Sequence, residues 1–142
     1  MSNKLLLPLV LVSTLARAET LEEKTYWKGQ MDYVQRELAS ANKACGTTFA
    51  FDWVDRETLR AEVTKTKHSP NGVCNMIISE VAQLCRRGAD EKAAVQAKIK
   101  GFTCGFAKPR RLDLRDGIVH YSGNNSEPNF TDWAKPWLMK HL

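Results

Sequence analysis

The first hydrophobic pattern in the chain is typical of one face of a long helix. A capping box, Thr20 to Glu23, precedes apolar residues at helical spacing: Trp27, Met31, Val34, Leu38, Ala41 and Cys45. Gly46 follows the last of them, in the position that glycine favours after a helix C-terminus. The sequence therefore predicts a long N-terminal helix with a narrow apolar stripe.

The most apolar part of the chain lies in its middle and predicts the most buried helix. Ser69-Pro70 is a typical helix start, because serine caps the first amides and proline needs no N–H partner at the first helical position. Apolar residues between Val73 and Cys85 form two adjacent stripes, which indicates contact on more than one side. Gly88 is expected to end this helix in the usual C-terminal glycine position, and a shorter helix follows.

Alternating apolar residues predict four strands. The alternation occurs over residues 49–53 and 102–106, and again over 112–115 and 118–121. Asp116-Gly117 separates the last two segments and favours a type I′ turn, in which both central residues need positive φ. The sequence therefore predicts a two-residue β-hairpin near the C-terminus.

The predicted turn sets the register of the hairpin and assigns its two faces. Asp113 is placed opposite His120, Leu114 opposite Val119 and Leu112 opposite Tyr121. The core face is expected to carry Leu112, Leu114, Val119 and Tyr121. The outer face is expected to carry Arg111, Asp113, Arg115, Ile118 and His120.

These elements predict an α+β domain with a long N-terminal helix and a four-stranded, mainly antiparallel sheet. Residues 102–106 and the hairpin are expected to form a three-stranded antiparallel meander. The helices, including a C-terminal one rich in aromatic residues, are expected to pack on one face of the sheet.

Residues 1–18 have the pattern of a cleaved signal peptide. Lys4 supplies the positive start, residues 5–15 the apolar core, and Ala16-Arg17-Ala18 a small-x-small cleavage site. The apolar segment is too short to span a membrane, and no later segment is a better candidate. We therefore expect an exported protein, periplasmic or secreted, with one domain over residues 19–142. Cleavage removes two cations, so the net charge falls from +5 to +3.

Four cysteines in a short exported chain predict two disulfides. Cys74 and Cys85 lie on one helix about 16 Å apart, too far to bond each other. Two pairings remain open: Cys45–Cys74 with Cys85–Cys104, or Cys45–Cys85 with Cys74–Cys104. Either one links the central helix once to the preceding segment and once to the next strand. The cysteine and histidine spacings match no zinc module, so no metal site is predicted.

The sequence contains no established catalytic or cofactor-binding motif. No G-x-S-x-G, G-x-G-x-x-G, Walker or H-E-x-x-H pattern occurs, and no cofactor is predicted. The Asp113 carboxylate could orient the His120 imidazole as a general base, so a small hydrolase is the alternative hypothesis. The favoured interpretation is a surface cross-strand pair, because no nucleophile is identifiable beside it.

A basic cluster is the main candidate for a binding surface. Residues 86–115 carry nine lysines and arginines against three carboxylates. The residues expected at the contact surface are Lys108, Arg110, Arg111, Arg115, Ile118 and His120. Such a surface favours an acidic protein or an anionic component of the cell envelope. Nucleic acid is a less favoured partner, because no stacking aromatic residues share that face.

The spacing of Cys74, Cys85 and Cys104, with the segments AAVQAKIK and LDLRDGIVHY before a Trp-containing final helix, resembles small exported bacterial proteins of uncharacterised function. The resemblance implies the compartment and a single domain, and it implies no activity. The sequence as a whole favours a non-enzymatic binding or accessory module, similar in kind to an inhibitor or an immunity protein.

Overall fold

The computed structural model of the protein describes residues 17–142; residues 1–16 of the predicted signal peptide lie outside this range. Nine elements follow one another in the described chain. They are α1 (Leu21–Cys45), β1 (Ala50–Trp53), α2 (Arg56–Lys65), α3 (Pro70–Arg87), α4 (Ala89–Lys98), β2 (Gly101–Phe106), β3 (Arg111–Arg115), β4 (Ile118–Gly123) and α5 (Phe130–His141).

Helix α1 forms as predicted. The Thr20 hydroxyl accepts a hydrogen bond from the Glu23 N–H at 3.1 Å, and the Glu23 carboxylate accepts one from the Thr20 N–H at 3.2 Å. Gly46 ends the helix with a φ of 65°, a conformation that glycine adopts without strain. The predicted apolar stripe is buried at Trp27, Val34, Leu38, Ala41 and Cys45, and Met31 is half-buried.

Helix α3 is the central helix and packs against both α1 and the sheet. The Ser69 hydroxyl accepts from the Gly72 N–H, and Pro70 occupies the first turn. Ten of its eighteen residues are buried, which confirms the prediction from its two apolar stripes. Gly88 differs from the prediction: its φ of −175° is extended backbone, and it joins α3 directly to the start of α4.

The four-stranded sheet is mixed rather than mainly antiparallel. The strand order is β1-β2-β4-β3, with β2 parallel to both β1 and β4, and only β3 and β4 antiparallel. The predicted meander is therefore not formed. The reason is that residues 107–110 cross the end of β4 and place β3 on its far side, so β4 lies between β2 and β3. The α+β class and the packing of helices on one face are confirmed.

The hairpin has the predicted turn and register. Asp116 and Gly117 have φ values of 54° and 80°, as a type I′ turn requires. Asp113 is the register partner of His120, and Arg115 is the partner of Ile118. The helix-facing side of β4 is buried, whereas the outward-facing side of β3 is exposed.

The disulfides are Cys45–Cys85 and Cys74–Cys104, the second of the two predicted pairings. The first joins the end of α1 to α3. The second joins α3 to β2, so the central helix is linked to both neighbouring layers. Three of the four cysteines are fully buried and Cys85 is 6 % exposed. Both bonds therefore form part of the hydrophobic core.

Candidate functional site

The helices cover one side of the sheet, and the other side is the candidate functional site. We call it the open sheet face. Because side chains alternate along each strand, the paired registers assign its members. The open sheet face consists of Ala50, Asp52, Gly101, Thr103, Gly105, Arg111, Asp113, Arg115, Ile118, His120 and Ser122. Small residues occupy most of its centre, and the charged residues lie at its two borders.

Strand β3 supplies the cationic border of this face. Arg111, Asp113 and Arg115 are exposed, while Leu112 and Leu114 between them are half-buried on the core side. The Arg115 Nε atom lies 2.6 Å from the Asp113 carboxylate, with both side chains more than half exposed. Arg111 has no ion-pair partner among residues 17–142. It is therefore a cation available to a partner.

His120 lies at the middle of the open sheet face, where β2 and β3 flank its strand. The Thr103 hydroxyl is 2.7 Å from His120 Nδ1, a hydrogen bond between two adjacent parallel strands. Asp113 is the register partner of His120 on the other side, as predicted, but its carboxylate pairs with Arg115 instead. Thr103 was not among the predicted site residues, because its position opposite His120 depends on the parallel pairing of β2 with β4.

The structure separates the predicted binding residues into three groups. Arg111, Arg115, Ile118 and His120 share the open sheet face, and the last two are half-buried. Lys108 is exposed in the loop between β2 and β3. Arg110 points elsewhere: its guanidinium donates to the Glu127 carbonyl and lies 4.5 Å from the centre of the Trp133 ring. Arg110 therefore holds a loop rather than the open sheet face.

A partly buried polar network holds the loop that crosses the end of β4. Asn124, only 3 % exposed, donates to the Ala107 carbonyl at 2.9 Å and to the Glu127 carboxylate at 2.7 Å. The same carboxylate accepts from the Arg110 N–H at 2.8 Å. These donors, the Arg110 amide first and the Asn124 amide second, lower the pKa of Glu127. The network secures the start of β3 and with it the position of Arg111.

Tyr121 lies beneath this network on the core face of β4. Burial of the hydroxyl raises the pKa of Tyr121 to about 12. The nearby Arg110 cation lowers this pKa in part, and the Glu127 carboxylate raises it further. Its ring packs edge-on against Phe130 of α5, with 5.5 Å between the ring centres. A side chain at Gly123 would overlap the Tyr121 hydroxyl. The end of β4 is therefore closely packed against α5.

A cavity of about 600 Å³ lies away from the open sheet face, between the start of α1 and one side of α2. Its wall includes Trp27 and six charged residues, three of each sign: Arg17, Arg56, Arg60, Glu19, Glu23 and Glu57. Arg56 is already paired with Glu19 at 3.4 Å. Arg17 belongs to the predicted signal peptide, and without it the cavity wall carries two cations and three carboxylates.

Two further properties concern the described chain. Within residues 17–142, no group of three or more histidine, cysteine, aspartate or glutamate side chains is placed to hold a metal ion. None of the helices in this range combines the length and the apolar composition needed to cross a membrane.

Comparisons with protein-family models, with curated proteins and with solved structures found no match to this chain. Its function must therefore be argued from the site itself.

Proposed function

We propose that the protein is an exported, non-enzymatic binding module that contacts an acidic protein or an anionic envelope component through its open sheet face. The observation that carries the proposal is the position of Arg111: it is exposed at the border of an uncovered sheet face and has no ion-pair partner in residues 17–142. A partner carboxylate or similar anion would pair with this cation without first breaking a contact within the protein.

The centre of the open sheet face supports the same role. Gly101, Thr103 and Gly105 of β2 lie beside Ile118, His120 and Ser122 of β4. Gly101 and Gly105 are buried, whereas the other four residues are half-buried, so a partner would contact the four side chains rather than the β2 backbone. The two core disulfides support an oxidising compartment, in keeping with export to the periplasm or outside the cell.

An affinity-capture experiment tests the proposal. Residues 19–142 serve as bait in an envelope extract of the source cells, alongside a charge-reversed bait, Arg111→Glu/Arg115→Glu. A third bait, Lys24→Glu/Arg36→Glu, changes two exposed cations of α1 and has the same net charge as the second. We expect one stoichiometric partner on the wild-type and α1 baits, lost at high salt and on the Arg111/Arg115 bait. Equal retention on all three baits would refute the open sheet face as the contact surface.

The second candidate function is a small hydrolase, and the contact between Thr103 and His120 is the observation that favours it. This contact supplies the hydroxyl that the Asp113–His120 pair lacks in the sequence. Against it, Asp113 is exposed and paired with Arg115, so it does not orient the imidazole. We expect the wild-type protein to hydrolyse an ester substrate no faster than His120→Ala does. A rate that both His120→Ala and Thr103→Val abolish, without loss of folding, would establish the hydrolase instead.

A further inference from the structure

Strand β3 borders the sheet and leaves part of its backbone without a partner strand. In a hairpin with a two-residue turn, the residues that flank the turn form a hydrogen-bonded pair, and such pairs then alternate along the strands. Arg115 and Ile118 flank this turn, so Asp113 and Arg111 also bond to β4. The N–H and C=O groups of Leu112 and Leu114 consequently point away from the sheet.

The opposite border of the sheet is partly blocked. At β1 the N–H groups of Phe51 and Trp53 face away from β2, and the Asp52 carboxylate of the same strand accepts a hydrogen bond from the Trp53 N–H at 2.8 Å. Strand β1 also has only four residues. Native sheets commonly protect their borders in this way against unwanted pairing. The β3 border has no such block at Leu112 or Leu114 among the described residues.

The side chains of β3 determine which strand can pair with it. Arg111, Asp113 and Arg115 alternate in charge along the open sheet face. In the symmetric antiparallel pairing of two copies, Asp113 would face Asp113 and Arg111 would face Arg115, and like charges directly opposite each other are destabilising. A second copy of this chain is therefore disfavoured in that register, and symmetric registers centred on Leu112 or Leu114 would match only two of the three charged side chains on each copy. A strand with the opposite order of charges would oppose each of the three side chains with a complementary one.

We infer that an extended segment of a partner protein, with the pattern acidic–apolar–basic–apolar–acidic, adds to β3 in antiparallel orientation as a fifth strand. Its two carboxylates would face Arg111 and Arg115, its cation would face Asp113, and its apolar residues would cover Leu112 and Leu114. The inference rests on the proposed binding function and specifies the partner as a protein with such a segment. Main-chain hydrogen bonds would supply affinity, and the alternating charges would supply specificity.

The test uses a capped synthetic peptide containing Glu-Leu-Lys-Leu-Glu, titrated into isotope-labelled protein and followed by NMR. We expect the Leu112 and Leu114 amide signals to shift most. N-methylation of both peptide leucines removes the donors that face β3 and should weaken binding about tenfold or more, whereas N-methylation of the lysine, which faces away, should weaken it much less. The charge-swapped peptide Lys-Leu-Glu-Leu-Lys should also bind at least about tenfold more weakly.

Failure of this inference is distinguishable from failure of the proposed function. Absence of peptide binding, or equal binding of the peptide methylated at its leucines, would overturn strand addition even if partner capture still depends on Arg111 and Arg115. Capture that is unaffected by reversal of those two charges would overturn the proposed function itself.

Discussion

Thr103 and His120 form a hydrogen bond between β2 and β4, with 2.7 Å from the Thr103 hydroxyl to His120 Nδ1. The imidazole is thus held from the central strand of the sheet, while Asp113 on its other side pairs with Arg115 at the border. The centre of the open sheet face is therefore held by a hydrogen bond, and its charged side chains lie at the borders.

Replacement of Thr103 by valine tests how much this hydrogen bond contributes to the free energy of unfolding. Valine keeps the shape and the strand preference of threonine but removes the hydroxyl, and the loss of a half-buried hydrogen bond should lower the free energy of unfolding by about 1 kcal/mol. Urea unfolding measures this difference. Thr103→Ser should retain most of the stability that the hydroxyl confers. Asp113→Asn should cost less than about 0.5 kcal/mol, since exposed ion pairs contribute little. A larger loss for Asp113→Asn than for Thr103→Val would contradict this assignment.

The helices, the hairpin and the membership of the core were predictable from the sequence because each depends on local periodicity. The Asp113–His120 register followed from the Asp116-Gly117 turn alone. The neighbours of β2 were not predictable, because alternation assigns the faces of a strand but not its partner. The crossing of residues 107–110 over β4 depends on Asn124, which in sequence is indistinguishable from a turn residue.

The same limit applies to the candidate site. The grouping of Arg111, Arg115, Ile118 and His120 follows from the hairpin, and it was predicted. Thr103 enters the site only through the parallel pairing of β2 with β4, and Arg110 leaves it only because Glu127 and Trp133 hold its guanidinium. Both facts depend on contacts between residues distant along the chain.

The disulfides should connect Cys45 to Cys85 and Cys74 to Cys104. Non-reducing peptide mapping by mass spectrometry should recover these two linkages, and a Cys45–Cys74 linkage would contradict the fold. The bridges close segments of 40 and 30 residues. Removal of either one as an alanine pair should lower the free energy of unfolding by about 3–4 kcal/mol on the chain-entropy estimate.

The stabilisation that Glu127 gives to the loop of residues 107–110 should be lost at acid pH. Hydrogen bonds from the Arg110 and Asn124 amides lower its pKa in the folded protein below its ordinary value of 4.5. Its contribution is therefore complete above about pH 4.5 and is lost as the pH falls through the lowered pKa. Urea unfolding of wild type and Glu127→Gln should differ at neutral pH and converge in acid. A difference that is unchanged at low pH would exclude this role for the carboxylate.

Asn124 supports the same loop without a charge of its own. Asn124→Ala would leave the Ala107 carbonyl without its donor and would remove one donor to the Glu127 carboxylate. It should lower the free energy of unfolding by about 1–3 kcal/mol at neutral pH and by less in acid. Ser126→Ala serves as the control for a substitution in this loop, because Ser126 is exposed and its φ is not positive. Equal losses in the two variants would argue against a specific role for the Asn124 amide.

The Tyr121 hydroxyl should ionise only at strongly alkaline pH. Because burial raises its pKa from 10.0 to about 12, its contribution to stability is complete below pH 10 and is lost as the pH rises through 12. Ultraviolet absorbance of the phenolate, recorded together with circular dichroism, should show a late ionisation step that coincides with unfolding. Tyr121→Phe should reduce that step, whereas Tyr33→Phe, at an exposed position, should leave it unchanged. Burial also raises the pKa of Tyr26, so a smaller late step should remain. A late step of wild-type size in Tyr121→Phe would contradict the packing of this ring.

The affinity of the captured partner for wild-type protein and for Arg111→Glu/Arg115→Glu, measured over a range of salt concentrations, tests the central claim most directly. If the open sheet face is the contact surface, charge reversal should weaken binding and flatten its salt dependence, while Lys24→Glu/Arg36→Glu should bind as wild type does. Unchanged affinity and salt dependence in the Arg111/Arg115 variant would contradict the account.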